Sequence, residues 1–127
     1  MSIPTKILLV DDEEDFTELL AENLQEAGNY ELKQVNNPTQ ALSVARDFVP
    51  DICVIDLVMP QMDGGDVVSA LRGDPALAQT PVLMLTALVE EDPAQPGKAQ
   101  MKGGLPFVSK TSDLWVIQKA IEEALGR

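Results

Sequence analysis

The feature that most constrains this chain is an alternation. Short, almost unbroken apolar runs are separated by stretches whose apolar residues recur every three or four positions. The first run, Lys6 to Val10, is too continuously apolar for a strand with one wet face, and it reads as one buried on both sides. From Asp15 to Ala27 the apolar positions Phe16, Leu19, Leu20, Leu24 and Ala27 trace a helix, stopped by Gly28-Asn29. Tyr30 to Val35 alternates as a strand. Asn37-Pro38 opens a second helix with Ala41, Leu42, Val44, Ala45 and Phe48 on its apolar side, and Pro50-Asp51 ends it. Ile52 to Ile55 is the next buried strand. A loop from Leu57 to Gly65 then leads into a helix through Val67, Val68 and Leu71. Pro81 to Leu85 and Leu105 to Val108 complete the strands, and a last helix runs from about Ser112 to Leu125. Strands alternating with helices of this length imply crossover units and a parallel sheet covered on both faces. The exception lies between Ala87 and Gly104, where a fourth helix is due. Pro93, Pro96 and Gly97 oppose a regular one, so a short or irregular helix, or a loop, is expected there.

With 127 residues the chain is expected to form one domain, residues 1–127, with a core of its own. No apolar run approaches the roughly 18 residues that span a bilayer, and the start carries no signal-peptide pattern. A cytoplasmic location is therefore the expectation, and a lone Cys53 inside an apolar run agrees with it. Acidic residues outnumber basic ones 21 to 9, for a net charge of −12. Such a surface repels nucleic acid and anionic membranes, so neither is expected as a direct partner. There are no histidines. Imidazole acid/base chemistry, histidine metal sites and a phosphohistidine carrier role are all excluded.

In open parallel sheets ligands bind beyond the carboxyl ends of the strands. Those ends are Asp11-Asp12, Asp56, Thr86 and Lys110. Three carboxylates brought together repel one another unless protonated or neutralised by a cation. Mg²⁺ or Mn²⁺, hard ions that prefer oxygen, suit such a set. An aspartate between such an ion and a lysine is a competent nucleophile toward phosphorus, because the chemistry asks mainly for charge neutralisation and positioning. Taken singly, these residues have plain structural explanations. Asp11 and Asp12 precede a helix and suit N-capping, Asp56 could form a turn, and Phe107 and Trp115 default to core or half-core positions.

The motifs together resemble the response-regulator receiver domain over essentially the whole chain. They are Asp11-Asp12, the run Asp56 to Gly64 (D-x-x-M-P-x-M-D-G), Thr86-Ala87, and Phe107 to Lys110. The resemblance implies a flavodoxin-like, doubly wound (βα)5 fold with a five-stranded parallel sheet in the order 2-1-3-4-5. It implies that Asp56 is phosphorylated by a histidine kinase or a histidine phosphotransfer protein. It also implies that Asp12, Asp56 and the backbone carbonyl of Val58 hold the metal, with Asp11 acting through water. Thr86 and Lys110 would bind the phosphoryl group, and Thr86 with Phe107 would form the switch to a downstream protein target. The chain would be a signalling phosphoacceptor rather than an enzyme acting on other substrates. Pairing into a homodimer through the face carrying the fourth and fifth helices is a habit of the family.

Two departures stand out. Thr111 occupies the position after the strand-five lysine where receiver domains usually have proline, so a cis bond is not expected. Val58 and Leu88, each two residues beyond a motif residue, are apolar and cannot orient a hydrolytic water by hydrogen bonding. A long-lived phosphorylated form is the expectation. The competing reading is a pseudo-receiver that docks partners without phosphorylation. A phosphohydrolase is disfavoured because Val58 stands where such enzymes need a second acid.

Overall fold

The computed structural model describes residues 2–127. Its elements, in chain order, are β1 (Thr5–Val10), α1 (Glu14–Ala27), β2 (Tyr30–Val35), a single 3₁₀ turn (Pro38–Gln40) running into α2 (Ala41–Phe48), β3 (Ile52–Ile55), α3 (Gly64–Arg72), β4 (Val82–Thr86), β5 (Gln100–Lys102), β6 (Leu105–Ser109) and α4 (Leu114–Ala124). The side-chain alternation of the central strands divides their apolar residues between two core layers. Ile7, Leu9, Ile52, Val54, Leu83 and Leu85 pack under Leu20, Leu24, Ile117 and Ile121 of α1 and α4. The intervening residues Leu8, Val10, Cys53, Ile55, Val82 and Met84 pack on the other face against Ala41, Ala45, Val67 and Leu71 of α2 and α3. Strands β3 and β4 are buried along their whole length, which explains their unbroken apolar sequence. Burial in this core pushes the Cys53 thiol up to about 12, which leaves it protonated and unreactive.

Five parallel strands stand in the order β2-β1-β3-β4-β6, the doubly wound arrangement expected, but the sheet has a sixth member. β5 pairs antiparallel with β6 and forms the outer edge. The expected fourth helix, short or irregular, is therefore corrected. Residues 87–99 run through turns without a helix, and the chain returns as a hairpin. The reason is local. Pro93 and Pro96 deny a helix its hydrogen bonds, while Gly103 (φ 58°) and Gly104 (φ 80°) supply the two left-handed residues of a two-residue hairpin turn. Trp115, expected in the core or half in it, lies exposed on α4.

Candidate functional site

Each strand end named in the sequence arrives at the carboxyl edge of the sheet. The Asp56 N–H donates to the Val10 carbonyl (2.9 Å), and the Asp11 N–H donates to the Val35 carbonyl (3.1 Å). These bonds extend the parallel ladders by one residue and hold both aspartates rigidly at the rim. Asp11 and Asp56 are buried and Asp12 is exposed, yet carboxylate oxygens of all three lie within 4.8 Å of one another. Capping does not consume them. The N-cap of α1 is Glu13, whose side chain makes no capping bond, and Asp11 Oδ1 instead accepts the Glu13 N–H at 2.9 Å.

Lys110 enters this acidic cluster from the end of β6, and its own N–H is fixed to the Thr86 carbonyl (3.1 Å). Its Nζ lies 2.7 Å from Asp11 Oδ2, 3.6 Å from Asp56 Oδ2, and in contact with Glu13 Oε1. The ring of Phe16 lies beneath the ammonium, 4.4 Å from ring centre to Nζ, where the aromatic face attracts positive charge. Burial works against the ammonium, but hydrogen bonds to Asp11 and Glu13 outweigh it, so the Lys110 pKa stands above its ordinary 10.5. Burial also raises the Asp11 carboxyl above its ordinary 3.8, against the pull of Lys110 and the Glu13 N–H.

Where receiver domains usually have proline, Thr111 is held by a hydroxyl clasp. Ser109 Oγ lies 2.8 Å from Thr111 Oγ1 and accepts the Thr111 N–H at 3.2 Å. Among the described residues there is no cis peptide bond, in line with the expectation for Thr111. Thr86 is fully buried, and its Oγ1 accepts the Leu88 N–H at 3.3 Å. A cleft of about 250 Å³ opens over the site, lined by Glu13, Asp56, Val58, Thr86, Ala87, Leu88 and Lys110. Val58 and Leu88 reach into solvent at its mouth, 58% and 66% exposed. Phe107 is not among the lining residues; it lies opposite Met84 in the core layer under α2 and α3.

The loop between Asp56 and α3 owes its shape to Gly64. A Cβ there would fall 2.3 Å from the Asp56 carbonyl oxygen and 2.9 Å from Leu57 Cα, so only glycine lets the helix start this close to the strand end. The Gly64 N–H donates to the Leu57 carbonyl (2.8 Å), and Asp63 with Asp66 closes a capping box at the start of α3.

All the sequence-derived polar candidates therefore converge, while Phe107 sits apart in the core. Two side chains of the site were not identified from the sequence. Glu13 looked like one more acid at a helix start, and Phe16 like an ordinary apolar helix position. Both act through a lysine 97 and 94 positions further along the chain, and no local pattern carries that pairing.

A doubly wound sheet with three carboxylates and a lysine at its carboxyl edge defines a class, the flavodoxin-like α/β modules that bind at the strand ends. Residues 7–122 match the model of the response regulator receiver domain, and the chain belongs to that family. It is 39% identical over 83 residues to the DNA-binding dual master transcriptional regulator RpaA of Synechocystis, covering 65% of this chain and 34% of the relative. It is 31% identical over 125 residues to the regulatory protein AtoC of Escherichia coli, covering 98% of this chain and 26% of the relative. The chain thus spans about a third or less of either relative's length. The solved structure of the chemotaxis protein CheY4 of Vibrio cholerae superposes with a TM-score of 0.78 at 29% identity, covering 95% of this chain and 98% of that one. Among the described residues no helix is long and apolar enough to cross a membrane.

Proposed function

We propose that this chain is a phosphoacceptor, taking a phosphoryl group onto Asp56 from the phosphohistidine of a kinase or phosphotransfer protein. The observation that carries the reading is the convergence of Asp11, Asp12 and Asp56, their carboxylate oxygens within 4.8 Å of one another, with the buried Lys110 ammonium 2.7 Å from Asp11 and 3.6 Å from Asp56. One lysine cannot neutralise these three carboxylates and Glu13, and the all-oxygen donor set suits a hard divalent cation such as Mg²⁺ or Mn²⁺. Asp12, Asp56 and the Val58 carbonyl would hold that ion, with Asp11 acting through water. When bound, the ion neutralises charge on the transferring phosphoryl group.

The chain's own residues then do the rest. An Asp56 oxygen attacks phosphorus, the P–N bond to the donor imidazole breaks, and its electron pair stays on the imidazole nitrogen. Lys110, already 3.6 Å from Asp56, pairs with one phosphoryl oxygen, and the Thr86 hydroxyl donates to another. Glu13 must then yield its share of the ammonium. Thr86 and Phe107 would carry the change to a downstream protein target. On this reading the chain catalyses only its own phosphorylation and slow dephosphorylation.

The hairpin in place of a helix and Thr111 in place of proline favour, to a lesser degree, a docking module that is never phosphorylated. Fluorine NMR with beryllofluoride and Mg²⁺ separates the two. The phosphoacceptor gives bound-fluoride signals that vanish without Mg²⁺ and in Asp56→Asn. Absence of bound signals in the native chain rules for the docking module.

A further inference from the structure

The hairpin that replaces the fourth helix leaves a sheet edge with an open backbone. Pro106, opposite Met101, has no N–H, so the ladder bonds between β5 and β6 fall on the flanking pairs Gln100–Phe107 and Lys102–Leu105. Met101 therefore turns its N–H and C=O away from β6, toward the free side of the sheet. Beside this edge runs a groove of about 430 Å³ between the hairpin and α4, floored by Val82, Ala99, Leu105, Ala120 and Ala124. The Met101 side chain stands at its rim, 66% exposed.

The charge lining the groove is opposite in sign to that of the whole molecule. Its charged lining residues are the bases Arg72 and Lys98 and one acid, Glu123, within a protein of 21 acidic and 9 basic residues. Lys98 and Lys102 are exposed and form no ion pair among the described residues. Arg72 borders the same groove, its guanidinium donating to the Ala78 and Thr80 carbonyls rather than to a carboxylate. The groove's acid, Glu123, is already opposed by Lys119 at 3.8 Å.

We propose that β5 and this groove dock an extended, acidic segment of a partner protein, which adds to the sheet as a further strand. The partner's backbone pairs with Met101. Its alternate apolar side chains enter the groove, and its carboxylates meet Lys98 and Lys102. A second copy of this chain is a poorer occupant, because it would set lysines against lysines and one net charge of −12 against another. The docking needs no phosphoryl transfer and stands apart from the reading of Asp56.

The test is titration of the full-length, isotope-labelled chain with an acetylated heptapeptide of alternating glutamate and valine, followed by amide shifts. A peptide with lysine in place of glutamate serves as the control. The expected result is perturbation confined to residues 98–106 and the Ala120–Ala124 turn of α4, with the lysine peptide at least about tenfold weaker. The double variant Lys98→Glu, Lys102→Glu is expected to weaken the glutamate peptide by a similar factor. Met101→Pro removes the outward N–H without costing a bond to β6, and it abolishes binding while the thermal transition stays in place. No perturbation at millimolar peptide, perturbation elsewhere on the surface, or binding indifferent to both variants overturns the proposal. Self-association through β5 at the same concentrations also overturns it, by giving the edge to a second copy.

Discussion

At the scale of single residues, the site is held by contacts that leave little room for change. Gly64 is the narrowest point, since its missing Cβ is what lets the Asp56 carbonyl and α3 approach. Gly64→Ala is expected to cost about 2 kcal/mol or more in denaturant unfolding and to slow phosphorylation of Asp56, because relief of the overlap must move the nucleophile's own strand end. A loss below about 0.5 kcal/mol would mean that the loop relaxes freely. Val58 and Leu88 bear on lifetime instead. Both stand apolar at the mouth of the cleft, and neither can hold a water in line with an acyl phosphate. Phosphorylated protein is therefore expected to survive for minutes or longer without a phosphatase, and Val58→Asn to shorten that time, as read by decay of label. Loss of label from the native chain within seconds would contradict this.

The polar residues of the site were legible because their positions follow from the strand ends. Once β1, β3, β4 and β6 are placed, Asp11, Asp56, Thr86 and Lys110 must share an edge. Glu13 and Phe16 were not legible, since their partner lies almost the length of the chain away.

At the scale of elements, the buried strands β1, β3 and β4 announced themselves by continuous apolar runs, and β2 was bounded to the residue. The hairpin did not. Its strand β5, Gln-Met-Lys, is three residues long and carries no apolar pattern, and the prolines upstream suggested only that a helix would be poor. The signal that was present is Gly103-Gly104, a two-residue turn between segments that can pair. Another element end carries strain that no pattern forecasts. Val49, after α2, sits at φ 53°, a left-handed conformation that costs a β-branched residue about 1–2 kcal/mol. Val49→Gly is expected to stabilise the protein by about 1 kcal/mol, after allowing for the greater freedom of glycine when unfolded, and to raise Tm by about 4 °C. A lowered Tm would show that the exposed valine side chain does more than the backbone geometry indicates.

At the scale of the whole molecule, two apolar layers hold the sheet, and on one face a charge pair ties α2 to the turn that follows α3. Asp74, beyond α3, accepts from Arg46 of α2 at 2.6 Å and from the Ala76 N–H at 2.9 Å. The Arg46 bond, with that backbone bond, holds its carboxyl below the ordinary 3.8. A lowered folded-state value means that the contribution to stability is complete above that ordinary value and fades as pH falls through the folded one. Asp74→Asn is thus expected to be less stable than the native chain by a constant margin at neutral pH. The margin narrows below about pH 4, as followed by urea unfolding across pH. A margin that grows on acidification would reverse the assignment.

The central claim concerns one atom, a carboxylate oxygen of Asp56, held beside two further aspartates and one ammonium. The most direct measurement is intact-mass analysis of the chain after incubation with a small phosphodonor and Mg²⁺, followed by peptide mapping of the product. The account predicts one added phosphoryl group, labile to hydroxylamine as an acyl phosphate is, mapped to Asp56, and lost in Asp56→Asn or on chelation of Mg²⁺. An unmodified chain under these conditions, or a phosphoryl group mapped to any other residue, would contradict it.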